Sequence, residues 1–161
     1  MATFYSKQFP SPSVPQKMID EKGARLRTSP FDITTTAAII ATTDFIRVAR
    51  IPSNARLVDI GQVTYGAFGG AAAFNIGLDH EKMSGAERTA AANKLWAAQS
   101  VVAAGSRKLM HAPVLADLEK RVWQLAGLTK DPGGEMDVVI AASTVTANIA
   151  TIHGEITFTT D

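Results

Sequence analysis

The sequence predicts a mainly β protein, a sandwich or barrel with one or two short helices in its connections. Three observations carry that prediction. Runs rich in β-branched residues recur from residue 31 onward, and such side chains suit a pleated, half-buried surface. Clusters of Gly, Pro, Ser and Asn separate those runs at strand-like intervals. The final segment alternates strictly, with Ile152, Gly154, Ile156 and Phe158 on one side and Thr151, His153, Glu155, Thr157 and Thr159 on the other. Alternation of that length argues a strand with one face in a core and one in water.

Taken in order, the first run is Phe31 to Ile40. The second, Asp44 to Ile51, closes on the turn cluster Pro52-Ser53-Asn54. A third spans Ala55 to Tyr65. After the break Gly66-Ala67-Phe68-Gly69-Gly70, a fourth runs from Ala71 to Leu78. Met136 to Ala142 is the fifth, and the alternating segment is the last. Two interruptions read as helix. Ser84-Gly85-Ala86-Glu87 has capping-box spacing, a hydroxyl at the N-cap and a carboxylate three residues on. The alanine-rich Arg88 to Trp96 that follows favours helix. Leu115, Leu118, Val122 and Leu125 recur at helical spacing, with Gly127-Leu128 as a C-terminal cap. Asp131-Pro132-Gly133-Gly134 then turns the chain.

Residues 1–30 show no apolar periodicity and hold four of the seven prolines, Pro10, Pro12, Pro15 and Pro30. Proline fixes φ and lacks a ladder donor, so this part is expected to be an extended N-terminal arm ahead of a single β-rich domain at 31–161. Charge divides the chain in a similar place. Residues 1–56 carry a net +4 and residues 57–161 a net −3, within a whole-chain charge of +1. A basic arm on a mildly acidic body suits an acidic partner or a neighbouring copy.

Composition excludes several classes. The 161 residues contain no cysteine, which removes disulfides, thiol catalysis and thiolate metal sites together. A net charge of +1 gives no global grip on nucleic acid. No apolar run approaches a signal-peptide core or a membrane span, so a soluble chain is expected.

The search for chemistry returns little. His80, His111 and His153 have no second histidine at zinc-site spacing. Asp79-His80-Glu81 is the densest polar cluster. Adjacent strand residues alternate faces, which favours a solvated loop over a metal site. Gly66 to Gly70 lacks the Gly-Lys-Ser/Thr ending of a phosphate loop and precedes a β-branched run, so a turn or bulge accounts for it better. There is no Gly-x-Ser-x-Gly elbow. Trp96 and Trp123 fall in apolar helical patterns and read as core. No enzyme, cofactor or metal is indicated.

Four segments carry a family resemblance. Phe45-Ile46-Arg47-Val48-Ala49-Arg50-Ile51-Pro52-Ser53-Asn54-Ala55-Arg56-Leu57 resembles a strand entering an I-P-S-x-A-R turn in small head proteins of tailed bacteriophages. Ala73 to Leu78 is similar to their next strand, with its Ile-Gly-Leu ending. Val122 to Asp137 resembles their W-x-L-x-G-L-x-x-D-P stretch, and Gly154 to Phe158 their closing strand. The likeness runs in order through residues 31–161. The Ala-rich Ser84–Ala104 stretch departs from it.

The resemblance implies a jelly-roll-like fold and a non-enzymatic virion protein. Its expected role is capsid decoration, or cement. Such proteins bind the outside of an icosahedral phage head, commonly as homotrimers, and bridge its major capsid subunits. The expected partners are therefore the major capsid protein and further copies of the chain, with no nucleic acid and no membrane. The expected location is the virion exterior, after synthesis in the host cytoplasm. Arms in this family clamp neighbouring shell subunits, which points to Phe4, Tyr5, Phe9, Pro10, Pro12, Lys17, Arg25 and Arg27 as the capsid-binding residues. Alternative readings are another phage structural protein, such as a minor or jelly-roll coat protein, and a β-sandwich carbohydrate-binding module. A hydrolase assembled from distant residues such as Asp79, His80 and Glu135 is the third.

Overall fold

The computed structural model describes residues 3–5, 25–35, 44–108, 117, 119–144 and 148–160. Along them run β1 (Thr3–Tyr5), β2 (Arg25–Thr34), β3 (Phe45–Pro52), β4 (Arg56–Ile60), β5 (Gln62–Tyr65) and β6 (Ala73–Asp79). Then follow α1 (Gly85–Ala91), β7 (Trp96–Ser100), β8 (Gly105–Lys108), α2 (Val122–Leu125), β9 (Glu135–Thr144) and β10 (Thr151–Thr160). Among the described residues no helix is long and apolar enough to cross a membrane.

The strands form two sheets. One has the order β1-β3-β9-β6-β7; the other has the order β2-β10-β5-β8, with β4 also paired to β10. Because β4 and β5 both lie against β10 on either side of Gly61, they act as one interrupted strand. Counted so from β2, eight strands divide between the sheets in the orders 1-8-3-6 and 2-7-4-5. That is the connectivity of a double-sheet jelly roll. All pairings are antiparallel except that of β1, which adds to the edge of β3 in parallel.

The core lies between the sheets and follows strand alternation. Ile152, Ile156 and Phe158 of β10, with Phe31 and Ile33 of β2 and Val63 and Tyr65 of β5, face Met136, Val138 and Ile140 of β9 and Phe74, Ile76 and Leu78 of β6. Gly154 sits on the same inward face because a Cβ there would approach Phe31 Cζ to 2.7 Å. Phe68, fully buried, packs edge-on against Phe74 at a centroid distance of 4.8 Å. The break containing it turns on Gly69 and Gly70, both at positive φ.

Two of the resemblance segments meet in space. The first amides of α2 donate to the turn after β3, Val122 N to Ala55 O at 2.8 Å and Trp123 N to Ser53 O at 3.2 Å. Arg121 Nη1 donates to Asn54 O, and Ser53 N to Gly134 O at 2.9 Å. The N-terminal donors of this helix are thus satisfied by another loop. Its end forms a Schellman cap, Leu128 N donating to Trp123 O and Gly127 N to Gln124 O, with Gly127 at φ 83°.

Several local expectations shift. The first strand begins at Arg25, since Arg25–Thr34 pairs along all of β10, while residues 36–43 lie outside the described set. The capping box forms as expected, Ser84 Oγ accepting from Glu87 N and Glu87 Oε2 accepting from Ser84 N at 2.7 Å. The helix it starts ends at Ala91 rather than continuing to Trp96. Leu95 N donates to Ile76 O, and the chain peels away as β7, on which Trp96 pairs with Ile76. Of the second helical pattern, only Val122–Leu125 is helix within the described residues; Leu115 and Leu118 lie outside them.

Candidate functional site

Arg47, Arg50, Asp79 and Asp137 share the outer face of the first sheet, the two arginines because of a register shift in β3. Arg47 pairs with Val139 and Ala49 with Val138, so Val48 is an extra residue between them. Without it, Arg47 and Arg50 would point to opposite faces; a bulge re-aims the strand. On the neighbouring strands Asp137 of β9 and Asp79 of β6 stand directly opposite one another.

These side chains form one buried ionic network. Arg47 Nη2 donates to Asp79 Oδ2 at 3.2 Å, and Arg47 Nε lies 3.2 Å from Asp137 Oδ2. Arg50 Nε donates to Asp137 Oδ1 at 2.8 Å. From α1, Arg88 Nε reaches Asp79 Oδ1 at 3.0 Å, while Arg88 Nη2 donates to the carbonyls of His80 and Glu81. Arg47 Nε, Asp79 Oδ1 and Arg88 Nε are close enough for charge attraction without aligned hydrogen bonds. Asp79 is 1% exposed and Asp137 6%, so each carboxylate depends on its guanidinium partners for compensation. Burial works against the Arg50 charge, but Asp137, Glu135 and Glu81 outweigh it and raise its pKa above the ordinary value.

Beside the network opens a cleft of about 440 Å³, lined by Arg47, Arg50, His80, Glu81, Lys82, Glu135, Asp137 and the turn 132–134. Its walls are the β3–β9 pair, the segment after β6 and the Asp131-Pro132-Gly133-Gly134 turn. Lys82 Nζ ties two walls by donating to Pro132 O at 2.7 Å. Hydrogen bonds from Ser53 and from Gly133 N to Asp131 hold that carboxyl below its ordinary pKa and fix the turn.

The residues singled out in the sequence are scattered. Phe4 and Tyr5 lie on β1, opposite Ile46 and Arg47 of β3. Arg25 and Arg27 lie at the start of β2, opposite Thr160 and Phe158. Phe9, Pro10, Pro12 and Lys17 lie outside the described residues. Asp79-His80-Glu81 is not the solvated loop expected: Asp79 and His80 are buried, because β6 ends under the Arg88 side chain. Of the hydrolase trio, His80 and Glu135 line the cleft, and Asp79 is held by Arg47 and Arg88. Among the described residues no group of three or more His, Asp or Glu side chains is placed to hold a metal ion. His153, expected on the polar face of the last strand, is there, 3.3 Å from Asp32.

No protein-family model and no curated protein matches the sequence. A chain of the empty head of turnip yellow mosaic virus aligns over 97% of this chain and 92% of its own, at 9% identity and a TM-score of 0.22, too loosely to bear on the fold. A chain from the capsid of Ralstonia phage GP4 superposes with a TM-score of 0.59 at 17% sequence identity, covering 99% of both chains. The protein is thus similar in fold, from end to end, to a phage capsid chain.

Proposed function

We propose that this chain is a structural protein of a tailed-phage head, a decoration or cement protein that binds the outer surface of the shell. The observation that carries the reading is the fold likeness to the GP4 capsid chain, which leaves almost nothing of either chain unaligned. The described site agrees with it. The carboxylates of the network are engaged by arginines, an arrangement that holds strands and a helix together, and no catalytic activity is proposed.

In this reading the protein acts as a homotrimer that bridges major capsid subunits, on the virion exterior. A ligand that binds only the assembled shell stabilises it against opening, and several linked contacts per trimer add avidity. Of the 30 residues expected as an arm, those from Arg25 on belong to β2 of the body; the shell-binding arm in this reading is the chain ahead of them, with Phe4, Tyr5 and Phe9 as anchors, since aromatic side chains dominate interface energetics. Pro10 and Pro12 keep it extended, and Lys17, Arg25 and Arg27 meet acidic groups on the shell. A second reading, a shell-forming coat protein, draws on the same likeness.

Co-sedimentation with undecorated capsids tests the proposal, using the full chain and a Lys17→Glu, Arg25→Glu, Arg27→Glu variant. Saturable binding by the full chain, weakened in the variant, is the expected result, with a trimer mass in solution. Absence of binding at any ratio refutes decoration, and closed particles formed by the purified chain alone establish the coat reading instead.

A further inference from the structure

The cleft beside the ionic network contains donors that the network does not use. His80 is only 5% exposed and lines the cleft. Its Nδ1 accepts the backbone N–H of Lys82 at 3.0 Å. That bond assigns the neutral ring its proton at Nε2, and Nε2 has no partner among the described residues. Arg47 commits Nη2 to Asp79 and Nε to Asp137, which leaves its Nη1 without a partner among the same residues. Lys82 Nζ, after its bond to Pro132 O, retains two protons.

The acidic lining divides by position. Asp137 is already engaged on both oxygens, by Arg50 and Arg47. Glu81 and Glu135 are exposed residues that stand at the rim. Asp131, on the turn that forms one wall, accepts from Gly133 N at 2.8 Å. His80 and Arg47 therefore add N–H donors to the cleft lining, and the natural complement of such donors is a pair of acceptor oxygens.

We infer that this cleft is a carboxylate-binding site, in which His80 Nε2 and Arg47 Nη1 donate to the two oxygens and Lys82 closes over them. The inference is independent of the shell-binding reading. The carboxylate can be a small free acid or the side chain of an Asp or Glu on a bound polypeptide; both offer the same two oxygens. The cleft volume exceeds that of a lone carboxylate, and it lies within the range of sites that enclose a larger group.

The test is a titration of the full chain, labelled with ¹⁵N-histidine, with sodium acetate at constant ionic strength. Acetamide and methylammonium chloride serve as the uncharged and cationic controls. Saturable movement of the His80 Nε2 resonance by acetate, without matching movement of His153, is expected. No saturable movement, an equal response to acetamide or a stronger response to methylammonium overturns the assignment. His80→Leu should weaken acetate binding roughly tenfold or more, the loss expected for a hydrogen bond to a charged group. His80→Gln, which keeps a donor near Nε2, should stay within a few-fold of wild type. If His80→Leu fails to fold, the wild-type titration and the Gln variant still decide. Blocked peptides Gly-Glu-Gly and Gly-Gln-Gly separate the sources. Tighter binding of the Glu peptide than of acetate assigns the site to a polypeptide side chain, and equal or weaker binding assigns it to a free acid.

Discussion

Replacing Arg47 with methionine asks what the buried network is worth. Met fills much of the same volume, so the change removes charge more than packing. Asp79 retains Arg88 at 3.0 Å and Asp137 retains Arg50 at 2.8 Å, but the guanidinium between the two carboxylates is gone. The two aspartates are direct cross-strand partners, a relation that puts such groups roughly 5 Å apart. At an effective dielectric constant of about 20, two like charges at that distance repel by about 3 kcal/mol. Breaking a buried ion pair by removing one partner costs about 3–5 kcal/mol, so the two routes agree near 3 kcal/mol. Urea unfolding at neutral pH should register this as a midpoint lowered by about 1–2 M. Asp79→Asn placed in the Arg47→Met background should restore part of the loss by removing one of the two facing charges. A loss below about 1 kcal/mol for Arg47→Met, or further destabilisation on adding Asp79→Asn, would refute the view that Arg47 neutralises this pair.

Three further outcomes follow. Gly77→Ala would put a Cβ 2.2 Å from Ala91 O and from the Ala92 carbonyl carbon. Backbone cannot yield as a side-chain tip does, so a cost of about 3 kcal/mol is expected, with faster amide exchange around Leu95. Gly85→Ala, with nothing within 4 Å of the new methyl group, should be neutral or slightly stabilising in the same denaturation assay. Asp131 has a depressed folded-state pKa, caused first by its bond with Ser53. Its contribution to stability is therefore fully present above the ordinary carboxylate pKa and is lost as pH falls through the lowered folded value. Thermal melts should show Asp131→Asn less stable than wild type near neutrality, with the difference closing in acid; a constant difference would contradict the sign.

The strands were legible because their signals are local. Alternation over Thr151–Thr159 needs only the period of two, and the capping box at Ser84 is read from two residues at fixed spacing. The turn 52–54 and the cap at Gly127 were visible for the same reason. What brings those two together is contact across the fold, α2 bonding to the Ser53–Ala55 carbonyls, and no local pattern reports it. The length of the first helix was overestimated because alanine propensity ignores the tertiary bond from Leu95 to Ile76 that ends it. The ionic network was missed for a stricter reason. Arg47 and Arg50, three apart in a β-rich run, belong to opposite faces under simple alternation, and only the extra residue Val48 aligns them. The usable hint was the presence of two charges within an otherwise apolar strand. His80 was misplaced because a polar triplet after a strand looks solvated, and the covering side chain, Arg88, comes from a later helix.

The position of β10 constrains the order of events during synthesis. It is the last strand described, yet it occupies the interior of its sheet, pairing with β2 on one side and with β4 and β5 on the other. Until Thr151–Thr160 leaves the ribosome, β2 has no neighbour in its sheet and nothing joins it to β4 and β5. Closing this sheet couples residues as far apart as Arg25 and Thr160, and such non-local pairing is slow relative to local structure. Until β10 is made, Phe31, Ile33 and Val63 are uncovered by Ile152, Ile156 and Phe158. Truncation within Thr151–Thr160 withdraws the centre of a sheet, whereas loss of the same length at an edge strand would withdraw only a border.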